Sequence, residues 1–199
     1  FPNLKPAANS PAVSDLIQLM PKEGPVVDAL IKSRTPAPEL DEGKLLLHMH
    51  SSCRLRPDGV KEIFKEQFAN DVPSWRYLSD EGKGFGGEGR APDAASLISA
   101  GIALCFMTQM GRFSHMAKLP LNEYSIIQDT HFSLGGASGG TSQVGIAKPV
   151  ETHVFLETDA DDATAQQILT VGEKTCFLHA YCRNDLKPKV RTSKSSRAA

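Results

Sequence analysis

The sequence predicts an α+β domain in which antiparallel sheets pack around one long apolar helix. Three observations predict this fold class: short segments of alternating apolar and polar residues, a long low-charge stretch over residues 94–110 between them, and 40% hydrophobic residues in a chain of 199. The order is strands, central helix, strands, helix and a last strand, with no visible internal repeat. A chain of this length and composition has enough apolar residues for a proper core, in one or two domains.

The first 43 residues are predicted to be a proline-rich extension and not an independent core. More than half of the 13 prolines fall within the first 40 residues, and prolines interrupt regular structure. Two short helices fit between them, at residues 14–20, with Ser14 as the N-cap, and at residues 26–33. We expect this extension to lie over the main domain, residues 44–192, and residues 193–199 to form a flexible tail.

The first strands of the main domain are predicted from alternation and from turn-forming residues. The predicted elements before the long helix are a strand over residues 44–55, a turn over 57–59, a strand or short helix over 61–69, a short strand over 75–78 and a glycine-rich loop over 82–89. Pro92 and Asp93 then open the long helix, which is expected to run to about residue 118.

The second half of the domain is predicted to contain a hairpin, a helix and a last strand. The predicted elements are a strand over residues 122–134, a flexible hairpin loop over 135–140, a strand over 150–158, a helix led by the acidic segment 159–162, and a short strand over 188–192. Ile168 and Leu169 lie on this second helix, and Cys176 is expected to follow after a break at Gly172.

Composition excludes several classes of function. A formal net charge of −1 gives no basic excess for binding nucleic acid or a membrane surface. The residues at the start of the sequence contain no apolar run of signal-peptide length. Polar residues interrupt the apolar stretch over 94–110, which favours a buried core helix over a membrane span. Four cysteines without a CxxC pair are too few for a disulfide-rich secreted scaffold, so we expect a cytoplasmic protein.

Two motifs carry little functional weight. Gly84, Gly86 and Gly89 match the spacing of a dinucleotide-binding loop, but the residues before them are polar and the region about 20 positions later is apolar helix instead of acidic. We therefore predict a flexible loop. His48 and His50 share one strand face near Cys53, as in a zinc site, but no second ligand pair of similar quality is present, so the favoured interpretation is surface or hydrogen-bonded histidines. The remaining histidines show no pattern, and a Cys/His hydrolase arrangement stays open.

Two cysteines stand out by their surroundings. Cys105 lies in the middle of the long helix, among small residues that allow another element to approach closely. Cys176 follows the segment Gly-Glu-Lys-Thr at residues 172–175. A free cysteine most often packs as a small buried hydrophobe, so the residues alone leave packing and redox chemistry both open. Cys53 and Cys182 are assigned to packing.

These segments together resemble the OsmC/Ohr family of thiol-dependent peroxide reductases. In that family a glycine-rich loop and a proline precede a small-residue-rich helix with the first cysteine, here residues 86–92 and then Cys105. A second family segment, Ala/Gly-Glu-Lys-x-Cys, is matched by residues 172–176. The resemblance covers about residues 44–192. It implies an intertwined homodimer with the sites at the subunit interface and no metal or organic cofactor.

The resemblance also implies a two-cysteine peroxidase reaction. The Cys105 thiolate would attack the distal peroxide oxygen and become a sulfenic acid, which Cys176 would resolve to a disulfide. A dithiol reductant would then restore both thiols. A nearby arginine, held by a carboxylate, favours the thiolate in such sites.

The sequence departs from the family pattern around these activating groups. Family members carry a Glu nine or ten positions before the first cysteine, where this chain has Ala95 and Ser96, and Phe177 follows the second cysteine where Pro is common. The carboxylate candidates are therefore Asp93 and Glu88. The arginine candidates are Arg54, Arg56 and Arg76.

Three functions follow from these residues. The first is a thiol-dependent reductase of organic hydroperoxides or hydrogen peroxide. The second, suggested by the missing carboxylate, is a catalytically weak protein of the same fold that binds a small apolar ligand at the dimer interface. The third is a metal protein that uses histidine and cysteine ligands.

Overall fold

The computed structural model describes residues 15–20, 48–68, 73–133, 136, 142–190 and 192. The chain divides into two compact units, an N-terminal unit (Phe1–Leu97) and a C-terminal unit (Ile98–Ala199). Both units combine antiparallel strands with helical segments, and the predicted α+β class with antiparallel sheets and a long helix is confirmed.

The N-terminal unit contains a four-stranded antiparallel sheet in the order β1-β4-β3-β2. Its strands are β1 (Ile17–Leu19), β2 (His48–Leu55), β3 (Lys61–Phe68) and β4 (Trp75–Ser79). A tight turn joins β2 to β3, and Gly59 adopts a positive φ of 85° there, which a side chain disfavours. The alternation that predicted β2 and β4 is confirmed, and Lys61–Phe68, predicted as part of a strand or a short helix, form a strand.

The prediction of a helix over residues 14–20 is wrong, because Ile17–Leu19 form the edge strand β1 and the other described residues, 15, 16 and 20, are not helical. Ile17 pairs with Tyr77 and Leu19 pairs with Trp75, so the segment gains ladder hydrogen bonds from the edge of β4. Asp15 has a φ of 61°, which is incompatible with a right-handed helix. Tertiary pairing therefore overrides local propensity here. The helix predicted over residues 26–33 lies outside the described residues.

The glycine-rich loop is organised around one buried carboxylate. Asp80, only 1% exposed, accepts hydrogen bonds from the backbone N–H groups of Glu88 and Arg90 and from the Arg90 side chain. A 3₁₀ turn, Lys83–Phe85, lies within the loop. A Cβ at Gly87 would collide with the carbonyl oxygen of Glu81, so the backbone can close around the carboxylate only with glycine there. The prediction of a plain flexible loop missed this anchor.

The C-terminal unit contains a two-stranded antiparallel sheet and most of the helical residues. Its elements are the long helix α1 (Ala94–Ala117), which begins four residues before the unit boundary, β5 (Glu123–Asp129), β6 (Glu151–Glu157), α2 (Asp162–Thr175) and α3 (Phe177–Arg183). β5 ends at Asp129, earlier than predicted. The last predicted strand is wrong, because the described residues 188–190 and 192 are not in a strand.

The core of the C-terminal unit forms where α1 meets α2. Phe106, Met110, Ile168 and Cys176 are all buried. The predicted helix break at Gly172 is wrong: α2 continues through it, and Gly172 packs directly against α1. A Cβ there would lie 2.6 Å from Met110 Cγ and 2.9 Å from Phe106 Cε2.

The long helix α1 buries only part of its surface. Ile102 and Phe106 are buried, whereas Leu104 is 64% exposed and Met116 is 74% exposed. α1 is long and apolar enough to cross a membrane, and 22% of its most apolar 18-residue stretch is buried. Core helices of globular proteins can have the same length and composition. The buried core helix predicted from the sequence is therefore buried along one side only in a single copy of the chain.

Candidate active site

The structure places the two predicted cysteines against each other in the C-terminal unit. Cys105 lies on α1, half-buried, and packs on the cluster that contains Cys176. The two thiols are close enough to interact. Cys176 is fully buried, with 0% exposure, so Cys105 is the thiol that solvent can reach. Neither cysteine is in a disulfide, and Cys53 and Cys182 are also free and are exposed.

Cys176 occupies a one-residue junction between two helices. The prediction that it lies on a helix is therefore wrong. Its backbone is extended (φ −70°, ψ 119°), so it ends α2 and begins α3. The Cys176 N–H donates to the carbonyl oxygen of Glu173 at 3.3 Å, and its own carbonyl accepts from Ala180 at 2.9 Å. These bonds fix the direction of the Cys176 side chain into the core.

Burial keeps the Cys176 thiol protonated. Loss of solvent is the main cause that raises its pKa to about 11, and the neighbouring Cys105 thiol adds to the rise, although backbone N–H groups of His179 and Leu178 oppose it. A thiol with this pKa is almost entirely un-ionised at neutral pH. Cys176 therefore needs help to act as a nucleophile.

His179 lies directly beside the Cys176 sulfur. Its Nδ1 is 3.1 Å from Cys176 Sγ, and its backbone N–H points at the same sulfur at 3.5 Å. The imidazole ring stands edge-on to the Phe106 ring, with the ring centroids 5.0 Å apart. His179 is buried, and burial lowers its pKa; the charge of Glu173 raises that pKa and the charge of Arg183 lowers it. The ring is therefore neutral at physiological pH.

A chain of hydrogen bonds continues from His179 into the β5-β6 hairpin. His179 Nε2 is 3.2 Å from Thr152 Oγ1, and the Thr152 hydroxyl donates to Gln128 Oε1 at 2.7 Å. The Gln128 Nε2 group donates to the backbone carbonyls of Asp129 and Glu151, at 3.2 and 3.1 Å. The chain ends on these fixed backbone carbonyls.

A cavity of about 700 Å³ borders this arrangement within the C-terminal unit. Its apolar wall includes Ile98, Ile102 and Phe132, and His179 contributes to its lining. An ion pair between Glu173 and Arg183 forms part of another wall, and Arg183 also donates to the carbonyl oxygens of Glu173 and Lys174 at the end of α2. The cavity can therefore hold a largely apolar molecule close to the cysteine pair.

The predicted arginines lie in the N-terminal unit, Arg54 and Arg76 on its sheet and Arg56 directly after β2, and each has a carboxylate partner. Glu62, which is 5% exposed, accepts from Arg54 Nε and Arg76 Nε, both at 2.6 Å. Burial opposes ionisation of Glu62, but the hydrogen bonds and charges of Arg76 and Arg54 outweigh it and lower the pKa of Glu62. Arg56 pairs with Asp58 at 2.9 Å. A role for any of the three beside Cys105 stays a prediction.

The predicted carboxylates also have local partners. Asp93 accepts from the Ser96 N–H at 2.6 Å and so caps the start of α1. The Glu88 carboxylate lies 3.9 Å from the Lys83 ammonium. Their proposed action on Cys105 remains a prediction as well. Within the described ranges, no group of three His, Cys, Asp or Glu side chains is arranged to hold a metal ion.

Sequence reasoning missed the contribution of His179, Thr152 and Gln128. One local signal was present: Cys176 and His179 are three positions apart, which is the spacing of a cap residue and the N–H group that it accepts from. Thr152 and Gln128 reach His179 only through strand pairing and helix packing, so no spacing in the sequence indicates them.

The fold and this pair define an α+β protein that carries adjacent thiols between a long helix and a two-helix junction. A sequence model described as OsmC-like protein matches residues 87–191, more than half of the chain. The match includes both cysteines. The chain therefore belongs to the OsmC-like protein family.

Solved structures show the same fold. An organic hydroperoxide resistance protein OsmC from Legionella pneumophila aligns with a TM-score of 0.50 and 17% identity, over 70% of this chain and 92% of its own. An OsmC-like protein from Mycoplasma pneumoniae aligns with a TM-score of 0.51 and 10% identity, over 68% of this chain and 86% of its own. A search of curated proteins finds no significant match.

Proposed function

We propose that this protein is a thiol-dependent peroxide reductase in which Cys105 reacts with the peroxide and Cys176 resolves the product. The observation that carries the proposal is the pair itself: a half-buried thiol on α1 is in contact with a fully buried thiol. Such a pair supports oxidation of the accessible sulfur followed by capture by the hidden one. The similar protein from Legionella pneumophila is named an organic hydroperoxide resistance protein.

The reaction needs only the two sulfurs and a reductant. The Cys105 thiolate attacks the distal oxygen of ROOH, the O–O bond breaks, and the products are Cys105 sulfenic acid and the alcohol ROH, which takes one proton. Cys176 then attacks the Cys105 sulfur, the S–O bond breaks and water leaves as the disulfide forms. A dithiol reductant returns both cysteines to thiols. No metal or organic cofactor takes part in the proposed reaction.

A second copy of the chain is the proposed partner that covers the exposed side of α1. Leu104 and Met116 on α1 and Phe155 on β6 are all more than half exposed, and burying such apolar side chains against a partner is favourable. A homodimer would remove this surface from water. A site that works as a dithiol fits a reducing compartment, and we propose the cytoplasm as the location.

Peroxide consumption and thiol loss test the proposal together. The reduced protein is mixed with cumene hydroperoxide, and peroxide and free thiols are titrated. We expect Cys105→Ser to lower peroxide reduction at least about a thousandfold, because the nucleophile is gone. Cys176→Ser should leave a Cys105 sulfenic acid that dimedone traps. Cys53→Ser is the matched control and should react as the native protein does. Full retention of thiols under excess peroxide would overturn the proposal.

The cavity favours one second candidate, a protein that binds a small apolar ligand without turnover. Ile98, Ile102 and Phe132 give the cavity an apolar wall, and the predicted arginines already have carboxylate partners within their own sheet. Saturable binding of a fatty acid, together with thiols that do not react with peroxide, would replace the reductase with this function.

A further inference from the structure

The resolving step requires a group that accepts a proton from Cys176. The sulfur must be a thiolate to attack, yet it is fully buried and carries its proton at neutral pH. No solvent molecule has direct access to a side chain with 0% exposure. The acceptor must therefore be a protein group in contact with the sulfur.

His179 is in contact with that sulfur, and the hydrogen-bond chain behind it fixes which ring nitrogen is free. Gln128 uses its Nε2 group on two backbone carbonyls, so its Oε1 faces Thr152 and accepts the hydroxyl proton. The Thr152 oxygen is then the acceptor for His179 Nε2–H. Nδ1 of the neutral ring consequently carries the lone pair, and it points at Cys176 Sγ from 3.1 Å.

The groups around His179 keep the ring in this state. Glu173 faces it from α2 and Arg183 from α3, with opposite effects on its charge. Lys148 and His131 line the same cavity from the segments next to the hairpin. Glu173 and Arg183 pair with each other, so no unpaired carboxylate faces the ring among the described residues.

The burial of Cys176 limits what this arrangement can attack. A Cys-His pair also occurs in hydrolases, but there the sulfur must meet an external substrate. Cys176 has no exposed surface, and its contacts include the Cys105 sulfur. A base at Cys176 therefore serves reaction with Cys105.

We propose that His179 is the catalytic base of the resolving step: Nδ1 removes the proton from Cys176 as its sulfur attacks Cys105. This proposal rests on the proposed two-cysteine function. In the full step the Cys176–Cys105 S–S bond forms, the S–O bond of the sulfenic acid breaks, and the proton held on Nδ1 passes to the leaving hydroxide to give water. Cys176 is oxidised and Cys105 is reduced, so atoms and electrons balance. Thr152 and Gln128 are positioning residues that keep Nδ1 free.

The first test follows the two steps separately in a Cys53→Ser, Cys182→Ser background, so that only the paired thiols remain. His179→Asn places an amide oxygen near the Nδ1 position, which accepts a hydrogen bond but is not a base. After one equivalent of cumene hydroperoxide, we expect sulfenic acid to form at the native rate and disulfide to form about 100-fold more slowly at pH 7. His153→Asn, at an exposed position on β6, is the matched control and should leave both steps unchanged.

The pH profile separates a base from a structural hydrogen bond. Because the pKa of His179 lies below its usual 6.5, the native resolving rate should be flat from neutral pH upward and fall only in acid. In His179→Asn the rate should rise with pH as Cys176 ionises on its own, and the deficit should shrink toward pH 11. A uniform deficit at all pH values would overturn the proposal.

A peroxide-free test keeps the inference independent of the proposed function. Cys105 is converted to a mixed disulfide with thionitrobenzoate, and attack by Cys176 releases the coloured thiolate. Release about 100-fold slower in His179→Asn supports the base even if native Cys105 does not react with peroxide, in which case only the proposed function fails. Unchanged release in a folded His179→Asn protein overturns the base.

A second variant tests the proposal if His179→Asn does not fold. Thr152→Val keeps the side-chain shape but removes the acceptor for Nε2–H, so the ring can protonate either nitrogen. We expect release of thionitrobenzoate about tenfold slower, with an altered pH profile, whereas native release and profile would overturn the proposal. Cys176-dependent hydrolysis of p-nitrophenyl acetate would also overturn it, because the pair would then act on an external substrate.

Discussion

Two buried polar clusters, one around Asp80 and one around Cys176, are organised in opposite ways. Asp80 receives three donors, two backbone N–H groups and one guanidinium. Cys176 faces one imidazole nitrogen, one backbone N–H and one further thiol. The first cluster stabilises the charged Asp80 carboxylate. The second holds a neutral thiol and a neutral imidazole in contact, with the thiol proton of Cys176 between Sγ and His179 Nδ1.

The difference shows which cluster is built for stability and which can support chemistry. Hydrogen bonds from Arg90, the backbone N–H first, hold the pKa of Asp80 below its usual value although burial opposes them. No proton moves there at ordinary pH. In the other cluster burial raises the pKa of Cys176 and lowers the pKa of His179, so both groups stay neutral until a reaction requires the proton to move.

The largest expected loss of stability comes from the Asp80 cluster. Asp80→Ala leaves two backbone N–H groups and a guanidinium without their acceptor, so the loop over residues 81–90 should lose its anchor. We expect the greatest fall in urea midpoint among the variants named here, measured by circular dichroism. Glu88→Ala is the control, since its carboxylate is exposed and its backbone N–H is retained. An unchanged midpoint for Asp80→Ala would mean that the carboxylate does not hold the loop.

A smaller loss of stability is expected from a substitution in the apolar core that packs around Cys176. Gly172→Ala places a Cβ against Met110 and Phe106 in the core. We expect the free energy of unfolding to fall by about 1–3 kcal/mol, as for other overpacked cores. Gly101→Ala is the matched control, because its Cβ would meet only the end of the Leu178 side chain, at 3.3 Å. Equal stability of the two variants would contradict the tight approach of α2 to α1.

The smallest effect is the pH dependence that His179 contributes. Its folded pKa lies below the unfolded value of 6.5, so its contribution to stability is complete above pH 6.5 and is lost as pH falls toward the folded pKa. His179→Asn should therefore lose less stability than the native protein when urea midpoints are compared at pH 7.5 and pH 5. A steeper acid loss in the variant would reverse this sign and show that the buried ring is charged.

The sequence predicted the elements that repeat a simple period and failed where structure depends on distant partners. Alternation located β2 and β4, and the low-charge stretch located α1 with Cys105 on it. Local sequence predicts a helix at β1, whose strand structure depends on pairing with β4. It predicts a helix break at Gly172, where a glycine is needed because Met110 and Phe106 of α1 leave no room for a side chain.

The candidate site was predictable in part for the same reason. Both cysteines lie in segments with recognisable local sequence, so the sequence alone indicates them. The chain from His179 through Thr152 to Gln128 spans one helix and two strands, and its two links join residues that are 27 and 24 positions apart. The imidazole could be assigned only once those contacts fixed its orientation.

The one-residue junction at Cys176 has a mechanical consequence. Because α2 ends and α3 begins at this residue, the φ and ψ angles of Cys176 are the only backbone torsions between the two helices. Arg183 on α3 connects the helices by donating to the carbonyl oxygens of Glu173 and Lys174 on α2. Apart from rotation of the Cys176 side chain, movement of its sulfur toward Cys105 requires a change in the angle between α2 and α3. The hydrogen bonds of Arg183 oppose that change. Cys176 is thus a hinge residue between α2 and α3, and the position of its sulfur depends on the angle between these two helices.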